Sequence, residues 1–328
     1  MPKFEEQVAD DGQTDDVTDI EMVCDAIYRQ SRSLSLPNNT LDHTTESLSG
    51  EILSKKDVSL GRLLGSGGFG SVYLGTYKNK EVAVKIFHAV SKNPQAQVQS
   101  FKAELAILNF KHPHIIRTIT ATTLEDFNDG PWVVMEYVSD KTLQSVINDM
   151  DQQLCMVRRL KYALQIASAV QYAHDNCIVH LDIKPVNVLL TQDDDCKLGD
   201  FGCCQEVEFN TGRVSPTNRS ALTGTFAYRA PELLKGGAPS LQADIYSYGV
   251  TLWQMLSRET PYANENQHVV IFGVVAYGLR PKNPVIGDEP FDKLYQDLYT
   301  QCWVAEPDDR PTSTELMEIL ETWKQYID

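Results

Sequence analysis

The chain has 328 residues, of which 42% are hydrophobic and 23% are charged, so it can form a full core and is not disordered throughout. Acidic residues outnumber basic residues by 45 to 29, which gives a formal net charge of −16. Because nucleic acids and anionic membranes attract basic proteins, this balance argues against non-specific binding to either. It does not exclude phosphate ligands, which backbone amides and single lysines hold locally.

The 7 cysteines form no Cys-x-x-C pair and their odd number leaves one unpaired, which favours a reducing compartment. The first residues lack the apolar core of a secretory signal. The longest apolar stretch, residues 269–279, is shorter than the ~20 residues that cross a bilayer. We therefore expect a soluble, cytoplasmic protein.

The chain divides into two regions. Residues 1–57 are rich in Asp, Glu, Ser and Thr, and we expect a flexible acidic extension there. Residues 58–328 are predicted to form one α+β domain with two lobes. The smaller lobe, at about 58–138, is a small antiparallel sheet with one main helix, and the larger lobe, at about 139–328, is mostly helical.

The smaller lobe begins with alternating runs at residues 58–64, 71–77 and 81–87, which turn signals separate. This pattern predicts an antiparallel meander. A helix is predicted from about 95 to 110, where Phe101, Leu105 and Leu108 recur at helical spacing. Two further strand-like runs lie near 115–122 and 132–137.

The larger lobe follows Lys141, where apolar residues recur at helical spacing over residues 160–173 and again over 246–256. A sheet followed by helices predicts two lobes with a cleft between them. Residues 271–277 form a further apolar segment. For this segment, a helix packed in the core is favoured over a surface that docks a substrate.

Gly65, Gly67 and Gly70 form a Gly-x-Gly-x-x-Gly run, which lets a backbone approach phosphate oxygens closely. Alone, such a run fits an ordinary turn as readily as a phosphate site. A Rossmann site would need a helix next, whereas a strand-like run follows here. A P-loop is excluded because no Gly-Lys-Ser/Thr is present, so the run predicts a glycine flap between two strands.

Lys85 lies in the apolar run Val82-Ala-Val-Lys85, one hairpin after the glycine flap. An edge lysine that reaches solvent is the ordinary interpretation, but this position also suits a cation that grips nucleotide phosphates. A buried ammonium needs a counter-charge. Glu104, on the predicted helix, is the favoured partner, and Glu125 and Glu136 are weaker candidates.

A polar run, His180-Leu-Asp-Ile-Lys-Pro-Val-Asn187, follows the first long helix of the larger lobe. Asp182, Lys184 and Asn187 offer a proton acceptor, a phosphate-directed cation and an oxygen ligand for Mg²⁺. Further along, Asp200-Phe-Gly202 supplies a second carboxylate. Either run alone fits a loop with turn-forming residues, but both together, after the glycine flap and a strand lysine, indicate phosphoryl transfer.

The chain resembles the eukaryotic protein kinases, because it contains their motif set in the same order. The motifs are the glycine run, the strand lysine, the helix glutamate, both polar runs and Ala230-Pro-Glu232. The resemblance extends from about residue 58 to the end and implies the two-lobed protein kinase fold with ATP and Mg²⁺ in the cleft. It implies that Asp182 and Lys184 are catalytic and that Asn187 and Asp200 bind Mg²⁺. The ATP-binding positions it implies are Leu64, Gly65, Ser66, Gly67, Gly68, Phe69, Gly70, Val72, Ala83, Lys85, Glu104, Met135, Glu136 and Val138, with Met135 as gatekeeper and residues 136–138 as hinge.

The same resemblance implies three scaffold residues. Glu232 and Arg310 resemble the structural ion pair of the family, and Asp244 resembles the helix residue that holds the catalytic loop. Asp182-Ile-Lys184 and Gly224-Thr225 resemble the serine/threonine class rather than the tyrosine class.

Several runs of the larger lobe look like the Mos family, among them His180-Leu-Asp-Ile-Lys-Pro, Lys197-Leu-Gly-Asp-Phe-Gly-Cys203 and Tyr228-Arg-Ala-Pro-Glu. This resemblance implies a cytoplasmic kinase that phosphorylates a MAP kinase kinase in meiotic maturation and arrest. Two alternatives remain open at this point. One is another kinase that acts on MAP kinase kinases, of the Raf or mixed-lineage type, and the other is a pseudokinase scaffold, which commonly lacks one of the motif residues found here.

Leu181 departs from the family motif, which has arginine at this position. That arginine normally meets a phosphate on the activation loop through charge-assisted hydrogen bonds, which leucine cannot make. The sequence therefore predicts that the loop from Asp200 to Glu232 does not need phosphorylation to become competent. The alternative is that Arg229 or Arg219 supplies the missing cation.

Overall fold

The computed structural model describes residues 53–88, 93–124, 129–216, 224–287 and 290–326. The predictions for residues 1–52 lie outside the described residues, as do Glu125 and Arg219. Within the described ranges, no helix is long and apolar enough to cross a bilayer.

The smaller lobe is built on five strands, which are β1 (Val58–Ser66), β2 (Gly70–Tyr77), β3 (Lys80–Phe87), β4 (Thr118–Ala121) and β5 (Trp132–Glu136). They form one antiparallel sheet in the order β1-β2-β3-β5-β4. The first three strands are the predicted meander. β4 is shorter than the predicted run at 115–122, because Ile115 instead bridges to Leu198 of the larger lobe.

The segment before β1 packs on this sheet. Leu53 is buried in a cluster with Val58, Tyr77 and Val82. Its backbone N–H donates to the carbonyl of Ala121 at 3.3 Å. Packing onto the sheet therefore includes residues that precede residue 58.

The helix of the smaller lobe is α1 (Pro94–Ala106). It begins where the Asn93 side chain accepts a hydrogen bond from the N–H of Ala96, with proline in the first turn, a combination that starts helices well. It ends before the predicted residue 110, because Ile107 and Phe110 turn into the core of the larger lobe. α1 is thus attached at its C-terminal end to the larger lobe.

The larger lobe is mostly helical. Its helices are α2 (Leu143–Asn148), α3 (Met156–Asp175), α4 (Pro231–Leu234), α5 (Leu241–Ser257), α6 (Gln267–Tyr277), α7 (Pro290–Cys302) and α8 (Ser313–Thr322). Four short strands, β6 (Ile178–Val179), β7 (Val188–Leu190), β8 (Cys196–Leu198) and β9 (Gln205–Glu206), form two antiparallel pairs, β6 with β9 and β7 with β8. The predicted α+β fold with two lobes is confirmed.

The core of the larger lobe extends into the loops that carry the polar runs. Leu181 and Ile183, on either side of Asp182, are buried in it, and so is Phe201, which follows Asp200. Because these apolar neighbours are buried, they fix the loops without any contact from the aspartate side chains. The carboxylates of Asp182 and Asp200 therefore stay available for hydrogen bonds to other residues or to a ligand.

The expectation that residues 271–277 pack in the core is wrong for most of the segment. The segment lies in α6, where only Val270 and Val274 are buried. Phe272 is 61% exposed and Tyr277 is 79% exposed, and their rings pack edge to face at 5.5 Å. A helix on the surface buries one stripe only, so an apolar run that continues around the helix leaves side chains in solvent.

Candidate active site

A cavity of about 430 Å³ opens between the sheet and the larger lobe. It is within the range of ~300–1,000 Å³ that is usual for sites of small ligands. Every residue that the resemblance implies for ATP binding lines this cavity, and so do Asn187 and Asp200. Asp182 and Lys184 are not among its lining residues, and their contacts are described below.

The glycine run forms the turn between β1 and β2. The N–H of Gly67 donates to the carbonyl of Gly70 at 2.8 Å, and the hydroxyl oxygens of Ser66 and Ser71 lie 3.0 Å apart across the turn. A Cβ at Gly70 would lie 2.4 Å from the carbonyl oxygen of Ile86 on β3, which excludes any larger residue. The predicted glycine flap between two strands is therefore what the backbone forms.

Lys85 lies on β3 opposite Val72 of β2, with its ammonium in the cavity. Its Nζ lies 2.5 Å from Oε1 of Glu104 and 2.9 Å from Oδ1 of Asp200. Glu104 is 2% exposed, so its charge is held out of water and needs this partner. Burial alone would lower the pKa of Lys85, but the carboxylates of Asp200 and Glu104 outweigh it and raise that pKa.

The weaker candidate partners of Lys85 do not meet it. Glu136 accepts hydrogen bonds from Nζ of Lys197 and from the backbone N–H of Arg117, both at 2.8 Å. Glu125 lies outside the described residues. The helix glutamate favoured from the sequence is therefore the one that contacts the strand lysine.

Asp200 adopts φ +57°, a left-handed conformation that is uncommon for residues other than glycine. The ammonium of Lys85 lowers the pKa of its carboxyl from 3.8 to about 2, so the group is a carboxylate at neutral pH. The preceding carbonyl, of Gly199, accepts a hydrogen bond from Nε2 of His180 at 3.1 Å, and the His180 ring packs on Phe201 at 4.4 Å. These contacts on both sides hold the unusual backbone in place.

Asp182 is 7% exposed and its two carboxylate oxygens have different partners. Oδ1 accepts hydrogen bonds from the N–H and the hydroxyl of Thr225, each at 2.9 Å. Oδ2 accepts from Nζ of Lys184 at 2.7 Å and from Nδ2 of Asn187 at 3.0 Å. Lys184 also donates to the hydroxyl of Thr225 at 2.5 Å, so these four residues form one connected cluster.

Gly224 is essential to this cluster for a steric reason. It has φ +74°, and a Cβ there would lie 2.1 Å from the carbonyl oxygen of Leu181 and 2.9 Å from Oδ1 of Asp182. Only glycine permits this approach. The Gly224-Thr225 pair, chosen from the sequence as a mark of substrate class, thus brings the later part of the loop from Asp200 to Glu232 onto the Asp182 carboxylate.

Asp244 on α5 holds the loop that carries Asp182. Its carboxylate is fully buried and accepts the backbone N–H groups of His180 and Leu181, both at 2.7 Å. It also lies 3.0 Å from Nε2 of His174. The position of Asp182 is therefore set from the centre of the larger lobe.

Leu181 has φ +67° and is buried in the core of the larger lobe. Its side chain fills the position that the family motif gives to a cation. Arg229, one of the two alternative cations, donates a hydrogen bond to the carbonyl of Gly224. The other alternative, Arg219, lies outside the described residues.

Some residues of the cavity were missed by the sequence analysis. They are Ile116, Ser139, Asp140, Thr142, Val186, Leu189 and Gly199. For Leu189 a signal existed, because strand residues alternate between faces. Val188 and Leu190 are buried in the core, so Leu189 between them has to face the cavity.

The cavity contains the ammonium of Lys85, the glycine flap and the ionised carboxylate of Asp200. Next to it lies the carboxylate of Asp182, which Lys184 and Asn187 hold by hydrogen bonds. Ammonium and backbone N–H groups bind phosphate oxygens, and carboxylate and amide oxygens bind hard divalent cations. The described residues contain no group of three or more His, Cys, Asp or Glu side chains that could hold a metal alone. A cation here would therefore take further ligands from phosphate oxygens, as Mg²⁺ commonly does.

Comparison with known proteins supports the family that the sequence motifs resemble. The sequence model described as "Protein kinase domain" matches residues 58–321. The chain is 51% identical over 266 residues to the serine/threonine-protein kinase mos of Patiria pectinifera, an alignment that covers 81% of this chain and 75% of the relative. It is 41% identical to the Xenopus laevis protein of that name, over 79% of this chain and 74% of the relative. It is 38% identical to the proto-oncogene serine/threonine-protein kinase mos of Mus musculus, over 82% and 81%.

Proposed function

Because the chain belongs to the protein kinase family, as a serine/threonine kinase of the Mos type, we propose that its cleft binds ATP with Mg²⁺ and transfers the γ-phosphate to a protein hydroxyl. The observation that carries the proposal is the meeting of Lys85, Glu104 and Asp200 in the cavity beneath the glycine flap. Glu104 is 19 residues and Asp200 is 115 residues from Lys85 in the sequence, so the fold brings the three together.

In this proposal Lys85 holds the α- and β-phosphates, and Glu104 keeps its ammonium in position. The flap of Gly65, Gly67 and Gly70 covers the phosphates with backbone N–H donors. The adenine lies against the hinge at residues 136–138, next to Met135. All of these groups line the same cavity, which supports their assignment to a single ligand.

Asn187 and Asp200 would hold the Mg²⁺. Nδ2 of Asn187 donates to the carbonyl oxygen of Asp182 at 2.8 Å and to its carboxylate, which leaves Oδ1 as the amide atom for a metal. The depressed pKa of Asp200 keeps the second ligand ionised. Mg²⁺, when bound, neutralises charge on the phosphate oxygens.

Asp182 receives the proton of the substrate hydroxyl as the bond from that oxygen to the γ-phosphorus forms and the bond to the leaving ADP oxygen breaks. Lys184, 2.7 Å from the Asp182 carboxylate, offers positive charge to the phosphoryl group in transit. Such a site works mainly by positioning groups and by stabilising charge. Thr225 fixes the Asp182 carboxylate in the orientation that this step requires.

The finer role that we propose is phosphorylation of a MAP kinase kinase in the cytoplasm, during meiotic maturation and arrest. Its support is the similarity to proteins named serine/threonine-protein kinase mos. We also propose that residues 58–328 form the kinase domain and that residues 1–57 form an extension to it. The alternatives of a Raf-type or mixed-lineage-type kinase and of a pseudokinase scaffold are not favoured, since the relatives are Mos kinases and every motif residue except the motif arginine is present.

The test is direct phosphotransfer from ATP and Mg²⁺ to a catalytically inactive MAP kinase kinase by the full chain. We expect transfer by the wild type and, for Lys85→Arg, a loss of at least about 100-fold in kcat/KM. Arginine keeps the positive charge but has a different shape, so it cannot place that charge where the lysine ammonium would contact the phosphates. Lys80→Arg, at an exposed position on the same strand, is the matched control and should keep wild-type activity. Equal rates for wild type and Lys85→Arg would refute the proposal.

A further inference from the structure

Gln97 on α1 is a buried polar residue that the mechanism above does not use. Its side chain is 2% exposed, and Nε2 donates hydrogen bonds to two carbonyl oxygens. One is that of Phe69 in the glycine flap, at 3.1 Å. The other is that of His88, directly after β3, at 2.6 Å.

The two acceptors belong to a small network that closes the flap. The N–H of His88 also donates to the Phe69 carbonyl at 3.0 Å, and the His88 ring nitrogen Nε2 lies 3.3 Å from the carbonyl oxygen of Gly67. Phe69 packs against the apolar cluster that contains Phe87. Within this network Gln97 is the residue that comes from α1.

Glu104 lies seven residues after Gln97, which is close to two helical turns. Both side chains are therefore on the same face of α1, the face toward the sheet. Glu104 contacts Lys85 at 2.5 Å, while Gln97 contacts the flap. A displacement of α1 that separates Glu104 from Lys85 would also withdraw the Gln97 amide from the flap.

We propose that Gln97 is a positioning residue that couples helix α1 to the glycine flap, so that the flap is ordered over the nucleotide only while Glu104 is paired with Lys85. The proposal rests on the assignment of the cavity as the ATP site. Gln97 does not line that cavity, so it acts through the backbone of the flap and not by contact with ATP. Its loss should affect nucleotide affinity more than the chemical step.

The first test is Gln97→Met, which keeps the size of the side chain and removes both donors. Of the two bonds, the one to Phe69 holds the flap, and a hydrogen bond contributes roughly 1 kcal/mol, so we expect the KM for ATP to rise about five- to tenfold, with kcat within about twofold of the wild type. Gln95→Met is the matched control, since Gln95 lies on the same helix and is exposed. It should leave both constants unchanged.

The second test is Gln97→Glu, read as a pH profile. The ionised carboxylate would face two carbonyl oxygens and repel them, whereas the protonated form can donate one hydrogen bond. Burial raises the pKa of such a carboxyl. We expect the KM ratio of variant to wild type to fall at least about threefold from pH 8 to pH 6, with no such change for Gln95→Glu.

Other groups around Gln97 also carry charge or titrate, and they are His88 and Lys85 near the end of β3, Lys102 and Glu104 on α1, and Asp200. All of them are present in the wild type, so the ratio to wild type removes their contribution.

A ratio that stays flat from pH 8 to pH 6 would overturn the proposal, as would an unchanged KM in Gln97→Met. The pH profile uses Gln97→Glu and the wild type, so it decides the question even where Gln97→Met folds poorly. A wild type that transfers no phosphate would instead refute the proposed function itself.

Discussion

Leu181 donates its backbone N–H to the carboxylate of Asp244 at 2.7 Å while its side chain is buried in the core of the larger lobe. The loop that carries Asp182 is therefore fixed by a buried backbone hydrogen bond and by apolar packing. Neither contact uses a side-chain cation. A phosphate on the loop from Asp200 to Glu232 would find no side-chain donor at Leu181.

The first prediction concerns phosphorylation of the activation loop. We expect phosphatase treatment of the purified kinase to leave kcat/KM within about twofold of the untreated value, because leucine offers no donor to a phosphate. Peptide mass spectrometry should confirm that the loop is dephosphorylated at Thr211, Ser215, Thr217, Ser220 and Thr223, of which the last three lie outside the described residues. A loss of activity of tenfold or more would show that another cation, such as Arg229, takes the place of the arginine.

The second prediction concerns Gly224. In Gly224→Ala the new Cβ would meet the carbonyl oxygen of Leu181 at 2.1 Å, so Thr225 must move away from Asp182. We expect kcat to fall at least about 30-fold, since a general base works only within hydrogen-bond reach of its proton. Gly236→Ala is the control: it has φ +79° but open space around it, and should cost only about 1–2 kcal/mol of stability with kcat unchanged. Equal kcat values for the two variants would contradict the steric argument.

The third prediction concerns the ion pair of Arg310 and Glu232. The guanidinium is fully buried and makes two hydrogen bonds of 2.8 Å to the carboxylate. Arg310→Ala leaves a partly buried charge without its partner, so we expect a loss of about 3–5 kcal/mol in the free energy of unfolding. Arg213→Ala removes an exposed pair with Asp308 and should cost less than about 1 kcal/mol. Denaturant titration of both variants measures the difference, and similar losses would rule out the proposed role of burial.

The fourth prediction concerns the pH dependence that Lys85 imposes through Asp200. The pKa of Asp200 is about 2 in the folded chain against an ordinary 3.8, so its ionised form stabilises the fold at neutral pH. This contribution is fully present above pH 3.8 and is lost as the pH falls toward 2. We expect the difference in unfolding free energy between wild type and Asp200→Asn to be constant from about pH 7 to 5 and to decrease below about pH 4.

The same comparison in a Lys85→Met background is the control for this pH dependence. Without the ammonium, the cause of the depressed pKa is gone, and the decrease below about pH 4 should disappear. A decrease of the same size in both backgrounds would show that the stabilising partner of Asp200 is not Lys85.

The prediction for residues 271–277 shows where sequence patterns stop. Their apolar character was visible and their helical conformation is confirmed, but the preferred burial was wrong, since Phe272 and Tyr277 face solvent. Hydrophobicity gives a preference for burial, whereas burial itself depends on whether another element covers the face. Gln97 is the opposite case, because a glutamine on an amphipathic helix gave no sign that its amide would be buried against Phe69 and His88.

The family, the meander of β1 to β3, the long helices and the motif residues could be predicted from residue types and spacings, because each depends on short windows of the chain. The sequence also favoured Glu104 as the partner of Lys85, but it did not show that Asp200 joins this pair or that Thr225 orients Asp182; folding shows both. Such contacts depend on distances between segments far apart in the chain, and folding sets those distances through packing of the core. The spacing of residues along the sequence does not give these distances.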